Sequence, residues 1–308
     1  MIREEWSDST AMGTTVHVCV VDDHEDAGLA AGIAHAAVAE VDAALSRFRP
    51  TSDVARLNAA PGRWVPAGEH LVAVAEAAED YRRLTRGVFD ATLPAADAGA
   101  ADALPRLHLR RDGDRWSARL EPGCRLDFGG IAKGYAADLA RDRCAARASG
   151  VLVSVGTSSV ALAGRPPRRA AWRIALSSPW DAVTETLGYV ETPGGSFSMS
   201  GARGVRMSSA PMVAAHVVDP RTGRPARTDV CAVGVLAADG MRGEALSTAA
   251  LVLGREQGMT LCREHGAEAL MMTVGGEILA TAALAPRLSL RAGVPDMLRR
   301  HRRPIVEG

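Results

Sequence analysis

Apolar positions along the chain recur at two spacings, and the change from one to the other divides the sequence into elements. Between Met12 and Asp23 alternate residues are apolar, with Val16, Val18 and Val20 on one side of an extended segment, which predicts a strand. Leu29, Ile33, Ala37, Val41, Leu45 and Phe48 then follow three or four apart, the spacing of an amphipathic helix with one face on a core. A second helix is predicted over 69–86, with Leu71, Val74, Ala78, Tyr81 and Leu84 turned inward. Pro94 and the Ala/Gly/Asp-rich stretch near 95–104 predict a surface loop. Asp112-Gly113, between two strand-like runs, predicts a hairpin because both residues tolerate positive φ.

Beyond residue 124 the pattern becomes strand, glycine turn, helix. LDFGG and the segment up to Gly150 predict a short strand, a turn and a helix that groups Ile131, Tyr135, Leu139 and Cys144 on related faces. VLVSVG, WRIAL, SFSMSG, VAAHVVD, VCAVGVLAA, ALMMTVGG and EILAT predict strands, interrupted by a helix near 243–255. Many strands with few helices predict an α+β or layered α/β fold, with antiparallel sheets flanked by helices. No internal repeat and no Pro/Ser-rich linker divides the chain. The expected organisation is one domain over 12–284, an N-terminal extension at 1–11 and a basic C-terminal tail at 285–308.

Composition narrows the partners. The 308 residues are 47% hydrophobic, enough for a large core, and 36 basic residues balance 36 acidic ones. A chain without net charge exerts no overall pull on nucleic acid, and 4% aromatic residues leave few platforms for stacking bases, so no nucleic-acid partner is expected. The cluster from Arg299 to Arg303 reads as a solvated tail. Five cysteines lie far apart without C-x-x-C spacing, which indicates neither a disulfide framework nor a zinc site. The first residues carry no apolar leader-like core and no run of 18 apolar residues occurs, so a cytoplasmic location without a membrane anchor is expected. One detail changes the picture: a single lysine, Lys133, stands among the 36 basic residues.

Three segments carry candidate chemistry. In Asp127-Phe-Gly-Gly-Ile-Ala-Lys-Gly-Tyr-Ala-Ala-Asp138, glycines at 129, 130 and 134 permit close backbone approach, and a helix N-terminus with free N–H groups follows. Lys133 lies in the first turn, where the helix dipole disfavours a cation, so an anion contacted by both explains its place; a tight turn with a surface lysine is the plainer alternative. In His216-Val-Val-Asp-Pro-Arg-Thr-Gly, a strand histidine precedes a turn set by Pro220 and Gly223, and imidazole is the side chain best able to take a proton near neutral pH. In Gly243-Glu-Ala-Leu-Ser-Thr, Glu244 and Thr248 share a helical face and offer hard oxygen ligands for Mg²⁺; an ordinary helix start with a favourable Glu explains the same residues.

The order of these segments along the chain is more specific than any one of them. Met12-Gly-Thr, Arg47 to Asn58, Gly87-Val-Phe-Asp-Ala-Thr92, Asp127 to Asp138, His216 to Gly223 and Glu244 to Thr248 together resemble the ApbE family of FAD:protein FMN transferases, over residues 12 to about 280. The resemblance implies an enzyme that binds FAD and Mg²⁺, cleaves the pyrophosphate and joins FMN to a Thr or Ser hydroxyl of an acceptor protein, releasing AMP. It places Met12 and Phe48 against flavin or adenine rings and Val88, Phe89 and Asp90 along the FAD cleft. Asp127 and Lys133 contact the cofactor and the backbone near Val218 closes over it. Gly130, by its carbonyl, holds the metal with Glu244 and Thr248, and His216 becomes the candidate base.

The chain departs from the family pattern in three places. Glu244 stands where Asp is usual, Gly156-Thr157-Ser158 replaces the usual paired glycines, and Ala91 replaces a Pro. Two other outcomes of the same resemblance are a Mg²⁺-dependent FAD pyrophosphatase, with water in place of the acceptor hydroxyl, and a non-catalytic FAD-binding protein. No D-x-x-[ST]-G-A-T acceptor motif occurs in the chain; Ser200-Gly-Ala-Arg203 comes nearest and lacks the final Thr, so the acceptor is expected to be another protein.

Overall fold

The computed structural model describes residues 3–22, 27–94, 106–167, 169–181, 186–201, 205, 207 and 212–294, without the side chains of 3, 94 and 212–216. The stretch near 95–104 and the Arg299–Arg303 cluster lie outside the described residues.

The chain opens with a hairpin of β1 (Arg3–Ala11) and β2 (Thr14–Asp22), so residues set apart above as an extension form an edge strand. Next come α1 (Ala27–Leu45), α2 (Asp53–Ala59), β3 (Val65–Ala67), α3 (Glu69–Leu84) and β4 (Thr92–Pro94). A second hairpin, β5 (Leu107–Asp112) and β6 (Arg115–Leu120), leads to β7 (Cys124–Leu126), α4 (Ala132–Ala145), β8 (Gly150–Val155) and β9 (Ser159–Gly164). Then follow β10 (Trp172–Ser177), β11 (Thr186–Thr192), β12 (Gly195–Gly201), β13 (Met212–Asp219), β14 (Arg224–Thr228) and β15 (Val230–Ala237). The last elements are α5 (Gly240–Leu253), α6 (Arg255–Glu264), β16 (Glu268–Thr273), β17 (Ile278–Ala280) and β18 (Leu288–Leu290).

An eight-stranded sheet in the order β1-β2-β8-β9-β12-β15-β16-β17, antiparallel at every pairing, forms the centre. Its two faces sort the side chains by alternation. Val16, Val18 and Val20 of β2 pair with Val155, Val153 and Val151 of β8, and they pack under α1 and α4. Cys19, Val21 and Leu152 point the other way, into a second core closed by the small sheet β10-β11-β18. Strand β15 is buried along its whole length because both faces are covered, which explains its unbroken apolar run.

Helix α1 forms where it was predicted, with Ala37, Val41 and Leu45 buried as expected, but the first and last positions of the predicted face differ. The inward face is Ala27, Ala30, Ala31, Ala34, Ala37, Val38, Val41 and Leu45, whereas Leu29 is 58% exposed and Phe48 lies past the helix end. Small side chains let α1 settle closely on β2 and α4, so contact area rather than side-chain size decides the face. Among the described residues α1 is also the one helix long and apolar enough to cross a bilayer; here that apolar surface packs inside the domain. The second hairpin turns at Gly113-Asp114 instead of Asp112-Gly113, because Asp112 already pairs with Arg115 and Gly113 takes φ +57°. Helix α5 starts at Gly240, earlier than expected, capped by the Asp239 carboxylate accepting the Arg242 N–H at 2.8 Å.

Two features fix α4 against α5 and so prepare the site. A Cβ on Gly134 would lie 2.2 Å from the Gly240 carbonyl oxygen, so the two backbones touch where the helices cross. Below this point the buried Asp138 carboxylate accepts from Ser196 Oγ, the Gly240 N–H and the Arg141 guanidinium, tying α4 to β12 and α5. Burial pushes the Asp138 carboxyl up, while Arg141 and the two hydrogen bonds pull it back. Gly134→Ala is therefore expected to force the helices apart, at about 1–3 kcal/mol of stability, the range typical of overpacking. Urea unfolding measures this; a parent-like midpoint would show that the contact is slack.

Candidate active site

Motifs far apart in the chain meet around one cleft of about 560 Å³. Met12 reaches it from the β1–β2 turn, Phe48 from the end of α1, and Val88, Phe89 and Asp90 from the segment after α3. Asp127, Gly130 and Lys133 come from the turn into α4, Val218 from β13, and Glu244 and Thr248 from α5. The side chain of His216, the remaining residue predicted for the site, lies outside the description. Its backbone stands in β13 between Ala214 and Val218, where the pairing with β14 shifts register, and its neighbours Val217 and Val218 line the cleft.

The apolar rim is built by local geometry. Met12 and Gly13 form a two-residue turn with φ +53° and +71°, positive at both positions as the tight hairpin requires. A non-glycine residue in that conformation costs about 1–2 kcal/mol, and Met12 occupies it at the cleft's edge. Phe48 is 78% exposed, with the Arg47 guanidinium 4.7 Å from its ring centre. Phe89 is buried and packs closely on Gly130: a Cβ there would lie 3.3 Å from Phe89 Cε2, a tight contact, and 3.6 Å from Thr248 Oγ1. The backbone at Gly130 thus passes directly beside the Thr248 hydroxyl.

The turn that carries Asp127 is clamped from two sides. Asn58 of α2 pairs with Leu126 in both directions, its amide donating to the carbonyl at 2.9 Å and its oxygen accepting the N–H at 2.8 Å. Asp127 receives a guanidinium hydrogen bond from Arg47, and its other oxygen accepts the Gly129 N–H at 2.8 Å. Asp127 is thus held within the protein, and Arg47, quoted in the sequence motif but assigned no role there, is its partner. Asp90 accepts from both the N–H and the hydroxyl of Thr92, and burial pushes its carboxyl up against these contacts and Arg106.

The polar floor lies between α4 and α5. Lys133 Nζ donates to the Gly129 carbonyl at 3.1 Å and stands 3.6 Å from Glu244 Oε1. The anion beside the lone lysine is therefore the chain's own carboxylate. Glu244 is 4% exposed; Ser159 Oγ donates to its Oε1, and its buried Oε2 has no hydrogen-bond partner. A buried carboxylate oxygen without a partner is costly unless a cation or proton meets it. Oxygen donors from Glu244, Thr248 and the Gly130 backbone suit a hard divalent cation such as Mg²⁺. Among the described residues no three His, Cys, Asp or Glu side chains stand together as a metal cluster, so hydroxyl and backbone oxygens complete this set. Ser159 was not singled out from the sequence, and Ser200 was considered there only as part of an incomplete acceptor motif.

Comparison with known proteins gives a consistent picture. The model of the ApbE family matches residues 12–271. A FAD:protein FMN transferase of Klebsiella pneumoniae (strain 342) is 29% identical, over 88% of this chain and 84% of its own. One from Treponema pallidum (strain Nichols) is 30% identical, over 82% of each chain. The apo crystal structure of the Pseudomonas stutzeri flavinyl transferase ApbE superposes with a TM-score of 0.75 at 29% identity, over 93% of this chain and 97% of that one. The ApbE protein of Thermotoga maritima superposes with a TM-score of 0.77 over 93% and 100% at 22% identity, a likeness of fold.

Proposed function

The chain belongs to the ApbE family, and we propose that it is an FAD:protein FMN transferase that moves the FMN half of FAD onto a Thr or Ser hydroxyl of an acceptor protein and releases AMP. The observation that carries this reading is the pairing, in one cleft, of apolar residues (Met12, Phe48, Val88 and Phe89) with a floor holding Lys133, Glu244 and Thr248.

Each part has a physical task. Met12, Phe48, Val88 and Phe89 offer apolar surface to the rings of FAD, and Val218 lies opposite on β13. Lys133, a compact charge in the first turn of α4, lines the cleft where it would meet a pyrophosphate. Glu244, Thr248 and the Gly130 carbonyl would hold Mg²⁺, which supplies charge neutralisation as the P–O bond breaks. The acceptor hydroxyl loses its proton as its oxygen attacks phosphorus, and His216 is the base assigned to take it. The field that draws an anionic substrate to a chain without net charge is local to this floor.

Incubating the protein with FAD, Mg²⁺ and a flavin-acceptor domain tests the reading. Covalently fluorescent acceptor in a denaturing gel is expected. Free FMN and AMP with an unmodified acceptor would instead make the protein a pyrophosphatase, and intact bound FAD would make it a carrier.

A further inference from the structure

Two of the three groups proposed to meet the cation, Glu244 and Thr248, are each in contact with a serine hydroxyl. Ser159, at the start of β9, is 1% exposed, and its hydroxyl donates to Glu244 Oε1. Because Lys133 also faces Oε1, both protein contacts fall on one oxygen and the other, Oε2, stays unpaired. The two contacts fix the carboxylate plane and leave one oxygen for a cation.

Thr248 is set by a chain of hydroxyls. Ser247 is fully buried and gives its single hydroxyl proton to the Glu244 carbonyl at 3.1 Å. At 2.8 Å from Ser200, Ser247 must therefore accept, and Ser200 is the donor. Ser200 has then spent its own proton, so in its 3.2 Å contact with Thr248 it accepts and Thr248 donates. The Thr248 proton is directed toward Ser200, which leaves the oxygen's lone pairs for another partner. This proton order runs Thr248 to Ser200 to Ser247 to the carbonyl of Glu244, so it also links the two proposed ligands through α5.

We infer that Ser159 and Ser200 are positioning residues that preset Glu244 and Thr248 for a divalent cation, Ser159 by occupying Glu244 Oε1 and Ser200 by taking the Thr248 proton. The inference rests on the cation reading given under Proposed function. Glu reaches one methylene further than Asp, and the Ser159 hydroxyl is the contact that holds this longer arm still. Removing a group that orients a metal ligand typically lowers metal affinity by about 10–100-fold.

The test is Mn²⁺ binding to the full chain without FAD, followed by electron paramagnetic resonance, with metal-free FAD binding and thermal unfolding as controls. Ser159→Ala and Ser200→Ala are each expected to weaken Mn²⁺ binding about 10–100-fold while binding metal-free FAD as the parent does. Ser159→Thr, which keeps the hydroxyl, is expected to recover most of the affinity, an outcome a merely structural role would not produce. Parent-like Mn²⁺ affinity in either alanine variant overturns the inference and leaves the cation site standing. A parent that binds no Mn²⁺ overturns both. Should Ser159→Ala not fold, Ser200→Ala at the half-buried lip of the cleft decides the matter alone.

Discussion

Glu244→Gln is expected to cut flavin transfer by more than the ~10–100-fold typical of losing a group outside a coordination shell, with the fold intact. Gln keeps the length of the arm and can still accept the Ser159 hydroxyl through its carbonyl oxygen. It loses the negative charge, and the free position becomes either an amide NH₂, which cannot bind a cation, or a weak neutral oxygen. The group is 4% exposed, so water offers little to replace what is lost. Lys133 also loses the carboxylate 3.6 Å from its ammonium, which would leave it freer to meet a phosphate. The expected signature is therefore a raised Mg²⁺ requirement with FAD binding retained, read from initial rates across a Mg²⁺ titration. A variant that transfers flavin at the parent rate and the same Mg²⁺ concentration would remove Glu244 from the site.

His216→Ala is expected to slow transfer by about 10²–10⁴-fold, the usual contribution of a positioned general base, while FAD binds as before. The reason is chemical as much as spatial. A Thr or Ser hydroxyl is a poor nucleophile until its proton leaves, and a neutral imidazole is the side chain suited to take it. The backbone of His216 stands in the register shift of β13, beside two residues that line the cleft. Single-turnover transfer with saturating acceptor separates the step from binding. Unchanged transfer would sink the assignment, and loss of FAD affinity in place of rate would make His216 a binding residue.

Particular residues show why parts of this architecture were legible in the sequence. Val16, Val18 and Val20 announce β2 because one face of the strand is packed, and alternation is a short-range signal. The predicted face of α1 holds at Ala37, Val41 and Leu45 and errs at Leu29 and Phe48, because much of the inward face is alanine, which weighs little in a count of large apolar residues. Strand β1, with Glu4, Glu5 and Asp8 along an edge, carries almost no apolar pattern and was passed over. Helix α6 lies beyond the helix predicted near 243–255: Gly254, at φ +77°, ends α5, and a second helix follows at once.

The site divides the same way. Its lining residues belong to contiguous motifs whose local chemistry survives without knowledge of the fold, as with Lys133 in a helix's first turn. Their partners do not. Arg47 meets Asp127 across 80 residues and Ser159 meets Glu244 across 85, and neither arginine nor serine stands out where it occurs in the chain. The backbone contact of Gly134 with Gly240 likewise exists only after α4 and α5 have crossed. These contacts convert a set of suitable residues into fixed positions, and folding supplies them.

The account stands most directly on a stoichiometry: AMP released against flavin covalently attached to an acceptor domain, both counted in one reaction containing FAD and Mg²⁺. Equal amounts of the two, abolished by chelating the metal, are predicted. AMP accumulating without attached flavin, or an acceptor that remains unmodified while FAD stays intact, would contradict it.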